Sequence, residues 1–203
     1  MEKQSMLYDL LKLIHQYYPV GLPYRNNGYD GYKSLKTIIG NNCNAQIDGK
    51  IVEPWNSLLK KLQHINPEHR YMDVSAIAIF PSQKFASNFY TSDENFTIRR
   101  SWLNGVISLI GNYYCVWIEE ELITRMEDGS VQHVAKMPRA GLTEEERKEI
   151  NEVHDLIKTC YPAYIHVDFD LLQVKVHGAI PIGEDSETMV HEFPIFDFLF
   201  GGN

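Results

Sequence analysis

The residues best placed for chemistry lie in YIHVDFDLLQVKVH (164–177), where His166, Asp168 and Asp170 recur at two-residue spacing. On an extended strand alternate side chains share a face, so these three would line one side while Ile165, Val167 and Phe169 line the other. Imidazole and carboxylate both ligate ions such as Zn²⁺ or Mn²⁺, and His191-Glu192 is the nearest second cluster that could complete a metal-dependent hydrolase site with His166 and Asp168. A strand with one buried and one solvated face gives the same alternation without any metal, and no HxxxH or HxxE follows. The outward His and Asp side chains are therefore expected to be surface available to a partner, with neither metal nor cofactor. Leu172, Val174 and Val176 continue the inward face after a phase slip at Leu171-Leu172, which predicts a bulge or tight turn.

Glu119-Glu120-Glu121 form the second candidate. Neighbours i and i+2 on a strand stand ~7 Å apart, within the ~5–9 Å that an acid and base need for glycoside hydrolysis. No accompanying sugar cleft is suggested, and three successive glutamates more simply mark a strand leaving the core. Nucleophilic chemistry has less to show: the chain has no GxSxG, Walker A or GxGxxG, and no cysteine in a catalytic signature. His64, His69, His133, His154, His177 and His191 are dispersed, each expected as a surface or satisfied core residue. No catalytic residue is expected.

The elements that would carry these residues divide the chain. Leu7, Leu10, Leu11, Ile14 and Tyr17/Tyr18 recur at helical spacing over 4–18 and Pro19 ends the run. A second helix is expected from about Gly31 to Ile39, broken by Asn41, Asn42 and Asn44, and a third from Pro54 through Trp55, Leu58, Leu59 and Leu62. Thereafter the period is that of strands: DVSAIAIF (73–80), FTIRRSWLNGVISLIG (96–111), NYYCVWIEEELITRM (112–126) and VQHVAKM (131–137). Asp128-Gly129 between the last two is a hairpin signal. Thr143 opens a helix over about 143–160, with Glu146 completing a capping box and Ile150, Val153, Ile157 and Cys160 as its buried stripe. The expected fold is one α+β domain over 1–203, a helical N-terminal third followed by a mostly antiparallel sheet with one long helix packed on it. The aromatic end HEFPIFDFLFGGN must pack in the core or dock on a partner.

Composition bounds the function. With 44% hydrophobic and 23% charged residues the chain is an ordinary globular one. No apolar stretch nears the roughly 20 residues that span a bilayer. The N-terminus reads as an amphipathic helix without a cleavage site, so a soluble cytoplasmic protein with no membrane role is expected. Cys43, Cys115 and Cys160 are widely spaced with no CxxC, which fits a reducing compartment. The net charge of −8 is unevenly placed: residues 1–100 hold 12 Lys+Arg against 9 Asp+Glu, residues 101–203 hold 7 against 18. The acidic half disfavours nucleic acid and favours a basic protein through long-range steering, although acidity also serves solubility. Lys60-Lys61 and Arg99-Arg100 are too few for a nucleic-acid footprint.

YYPVGLPYRNNGYDGYKSL (17–35) and VISLIGNYYCVWIEEE (106–121) resemble small acidic cytosolic immunity proteins encoded beside polymorphic or type VI secreted toxins. The resemblance implies a stoichiometric inhibitor of a cognate toxin, a nuclease among the candidates. Read with the charge pattern, it makes Glu119, Glu121, Glu127, Asp128, Asp168, Asp170, Glu184 and Asp185 the expected partner-binding residues. Tyr17, Tyr18, Tyr24, Tyr29 and Tyr32 crowd a Gly/Asn-rich loop, a mixture that recognition surfaces use, though each single tyrosine is expected to pin the loop to its own core. An adaptor role, docking through the aromatic tail, is the remaining alternative.

Overall fold

The computed structural model describes residues 3–21, 28–47, 53–76, 79–94, 96–126, 128, 130–139, 141–184 and 192–202. Among them the architecture is α+β, with helices first and a mostly antiparallel sheet after them. Helices α1 (Lys3–Tyr17), α2 (Asp30–Ile47) and α3 (Trp55–Leu62) precede strands β1 (Tyr71–Asp73), β2 (Ser82–Glu94), β3 (Thr97–Ser108), β4 (Tyr113–Arg125) and β5 (Val131–Pro138). These strands pair in sequence order, each antiparallel to the next. After α4 (Glu144–Cys160), β6 (Ile165–His166) adds to the start of β4 in parallel. The one-turn helix α5 (Phe169–Leu172), the small ladder of β7 (Lys175–His177) with β8 (Glu192–Pro194), and α6 (Ile195–Phe200) complete the chain.

The sheet is buried on both faces at one end only. On one face Leu10, Ile14, Tyr18 and Leu35 of the N-terminal helices join the α6 aromatics over Val106, Cys115 and Trp117. On the other, α3 and α4 pack Trp55, Leu58, Val153 and Ile157 over Phe85, Leu103, Ile107 and Tyr114. The tail is thus core, not a free docking arm: Ile195, Phe196, Phe198, Leu199 and Phe200 are all buried. The tyrosines do the same. Tyr18 donates to the Phe198 carbonyl at 3.0 Å, and Tyr29 donates to the His15 carbonyl at 2.8 Å. Tyr24 lies outside the described residues.

Beyond these layers β2–β5 continue as a ribbon whose described residues contribute only Phe89, partly buried, to either core. Charge pairs across the strands hold it instead. Glu119 faces Lys136 (3.8 Å), Glu120 faces Arg99 (3.7 Å), Glu121 faces Arg100 (3.5 Å), and Asp93 faces Arg125 (3.6 Å). The three glutamates sit in mid-strand at the point where β4 leaves the core, since 114–118 are buried and Glu119 onward are not.

Four local expectations are corrected. The second helix runs on through Asn41, Asn42 and Asn44 to Ile47, and the Asn42 amide oxygen accepts from Gln83 of β2 at 3.4 Å. Among the described residues of DVSAIAIF only the first is in a strand, because the Asp73 carboxylate accepts from the Ser75 amide (2.9 Å) and from Trp55 Nε1 (2.9 Å), turning the chain. The long strand after it is β2, SQKFASNFYTSDE, for which no strand was expected. Finally, 164–177 is not one alternating strand. Only Ile165–His166 and Lys175–His177 are extended, with α5 between them. Phe169 leaves the strand path to stack on Trp117, ring centroids 5.2 Å apart, and Ile165 and Val174, expected inward, are exposed.

Candidate functional site

Among the described residues, the expected partner-binding carboxylates stand on several separate elements. Asp168 and Asp170 are exposed at the start of α5, where Asp168 lies 3.7 Å from Lys3. Asp128 is exposed in the β4–β5 turn and accepts from the Ser130 amide at 2.8 Å; the Ser130 side chain first, and then this amide, hold its carboxyl below its usual range. Glu184 follows β7 and is half-buried. Glu127, Asp185 and His191 lie outside the described residues. Glu119 and Glu121 point to one face of β4, and this face carries the first of three sites.

Here the alternation of four strands brings Lys84 (β2), Trp102 and Asn104 (β3), Glu119 and Glu121 (β4) and Lys136 (β5) to the rim of a cavity of about 310 Å³. Phe196 and Phe200 of α6 supply its apolar wall. The chain closes it at Gly201, whose φ of +87° lets the backbone lie flat on Phe80; a Cβ there would stand 2.2 Å from that ring. Trp102 Nε1 donates to Glu121 Oε2 at 3.4 Å. Lys84 Nζ stands 5.4 Å from the centroid of the Trp117 ring. Burial pulls the Lys84 ammonium below its ordinary pKa, with Glu119 opposing the shift.

On the opposite face a buried carboxylate that sequence reasoning missed organises a cavity of about 500 Å³. Glu149 of α4 accepts from the Tyr71 hydroxyl (2.5 Å), from His69 Nδ1 (2.9 Å) and from Asn66 Nδ2 (3.2 Å). The His69 ring stacks on Phe89, centroids 4.6 Å apart. Only the position of Glu149, one residue from Ile150 of the α4 stripe, could have flagged it.

The third site brings together His154, expected as a surface or satisfied core residue, and His166, expected to face outward. Their rings meet edge to face at 4.5 Å, His154 Nδ1 lies 3.2 Å from the Tyr114 hydroxyl, and His166 Nε2 is buried without a hydrogen-bond partner. Burial lowers both imidazoles, His154 to about 4, with the other histidine and Lys158 adding to the His154 shift. Asp168 lies 3.9 Å from His166 Nδ1. Among the described residues no three His, Cys, Asp or Glu side chains gather to hold a metal ion, and no helix is long and apolar enough to cross a membrane.

The ribbon's far end shows a different feature. Phe96, between β2 and β3, has φ +64° and is 57% exposed, while its carbonyl accepts from the Arg125 amide at 2.7 Å. Beside it at the β4–β5 end stand Met126, 45% exposed, and Val131, 58% exposed. Comparison of the chain with known protein families, with curated proteins and with solved structures finds no match.

Proposed function

We propose that the protein is a stoichiometric inhibitor that binds and neutralises a cognate secreted antibacterial toxin in the cytoplasm, and that the far end of the strand ribbon meets it. The toxin class rests on the resemblance of residues 17–35 and 106–121. The binding face rests on one observation: Phe96 holds a large aromatic side chain in water on a left-handed backbone. That conformation costs about 1–2 kcal/mol for a residue with a Cβ; it closes the connection between Glu94 and Thr97, where glycine would serve at lower cost, and the ring itself is left in water. An exposed aromatic with the exposed apolar Met126 and Val131 at the same end of the ribbon offers the large apolar contact that an energetic centre of a protein interface needs. The net charge of −8 would steer a basic partner toward the protein, a nuclease toxin among them.

The test is calorimetry against the product of the adjacent gene, where the resemblance places a toxin, with Phe96→Gly and Val131→Asp. Glycine relieves the strained backbone, so Phe96→Gly should keep or raise the urea midpoint while weakening the complex about 30-fold, as for an interface centre worth ~2 kcal/mol. Absence of any complex sinks the inhibitor reading; an unchanged complex moves the interface elsewhere. A metal-dependent hydrolase using His166 and Asp168 is the second reading, favoured by the approach of His154 to His166. Elemental analysis of the purified protein tests it, and stoichiometric metal lost in His166→Ala would support it.

A further inference from the structure

The geometry points to a small-molecule site apart from the ribbon tip: the cavity between the sheet and the end of α6 takes an amphoteric ligand of the amino-acid class, with one ammonium, one carboxylate and an apolar side group. Its volume of about 310 Å³ sits at the low end of ligand pockets, which run roughly 300–1,000 Å³. The polar lining is of both signs, Glu119 and Glu121 against Lys84 and Lys136, with the Asn104 amide between them. These residues stand on four adjacent strands ~4.8 Å apart, so their side chains converge on a ligand lying across β3. Two of the ion pairs at the site are long. Glu119–Lys136 is 3.8 Å and Glu121–Arg100 is 3.5 Å, against the ~2.7–2.9 Å of a charge-assisted hydrogen bond, so both carboxylates retain acceptor capacity toward the cavity. Val106, Phe196 and Phe200 offer an apolar wall, and Trp102 a flat aromatic one, for the side group. A ligand of a single charge would desolvate the groups of like sign without pairing them, which is costly in a half-buried site. The inference does not depend on toxin binding.

Titration calorimetry of the full chain with L-phenylalanine, 3-phenylpropionate and phenethylamine tests it. The expected result is 1:1 binding of L-phenylalanine, with each singly charged analogue at least ten-fold weaker. Glu121→Gln should lower the affinity at least ten-fold. Lys136→Met, at an exposed side chain that leaves the core intact, should do the same and serves if Glu121→Gln unfolds the ribbon. No heat of binding at 10 mM L-phenylalanine, equal affinity for 3-phenylpropionate or phenethylamine, or wild-type affinity in Lys136→Met would each overturn the assignment.

Discussion

Replacing Glu149 by alanine should be among the most damaging single changes to this fold, and the cost can be worked from its partners. The carboxylate is nearly buried and accepts from Tyr71, His69 and Asn66, tying α4 to the segment that leads from α3 into β1. Truncation leaves three donors without their acceptor. Asn66 and His69 border the 500 Å³ cavity, so water can replace part of what they lose. The Tyr71 hydroxyl is buried, and burial first and then Glu149 hold it well above its ordinary pKa, so it remains a donor that must find an acceptor. An orphaned buried donor costs about 1–3 kcal/mol, and each of the two donors at the cavity adds a smaller loss. The expected loss for Glu149→Ala is therefore about 3–4 kcal/mol, or roughly 10 °C in Tm for a chain of this size. Tyr71→Phe removes donor and hydroxyl together and should cost only about 1–2 kcal/mol. The double variant should fall short of the sum of the two by about 1–2 kcal/mol, because the second change no longer breaks a bond. Urea unfolding followed by far-UV circular dichroism measures all three. A loss below about 1 kcal/mol for Glu149→Ala, or additivity within ~0.5 kcal/mol, would refute the reasoning.

Two further outcomes follow from the packing. Asp197 of α6 is pushed up to about 6 by burial, with Glu184 adding and Lys175 opposing. Its charged form is thus disfavoured in the folded state: the penalty is absent below the unfolded pKa of about 4, grows as pH rises, and is complete above about 6. Asp197→Asn should leave stability unchanged at pH 4 and raise it by about 1–2 kcal/mol at pH 8, after allowance for partial exposure; equal effects at the two pH values would contradict this. Gly105 lies under Phe85, and an added Cβ would stand 2.0 Å from the ring. Gly105→Ala should cost about 1–3 kcal/mol by overpacking, with partial recovery in the Phe85→Leu background, read from urea midpoints.

Which parts of this structure could be read from the sequence depends on where each segment finds its hydrogen bonds. Helix α4 was legible because its signals are local: Thr143 accepts from the Glu146 amide and Glu146 reaches back to the Thr143 amide, as the spacing predicts. Strands β3–β5 and the Asp128 turn were legible for the same reason. Strand β2 was not, because polar Ser82, Gln83 and Ser87 are buried in it beside Phe85 and Ala86. Ser82 and Gln83 are buried, and Ser82 is satisfied by a residue 118 positions away, the Phe200 carbonyl at 2.6 Å. Hydrophobic periodicity cannot register such a strand. The same holds for the candidate sites. Glu119 and Glu121 were visible as chemistry-bearing residues, but the cavity beside them needs Lys84 from β2, and the Glu149 cluster needs an eighty-residue contact between His69 and α4.

The glutamate triplet shows why a partner surface cannot be assigned here from charge alone. Glu119, Glu120 and Glu121 each face a lysine or arginine on a neighbouring strand, in a ribbon that has almost no apolar core of its own. Their charge is largely cancelled where it stands, and what they contribute is cross-strand pairing, the term that keeps such a ribbon in register. Reversing them to lysine would therefore place like charges opposite one another and loosen the ribbon that presents Phe96. A loss of toxin binding in such variants would not distinguish a lost contact from a lost scaffold. Phe96→Gly separates the two, since it relieves backbone strain while deleting the exposed ring. Weaker binding together with equal or greater stability is a combination that scaffold damage does not produce.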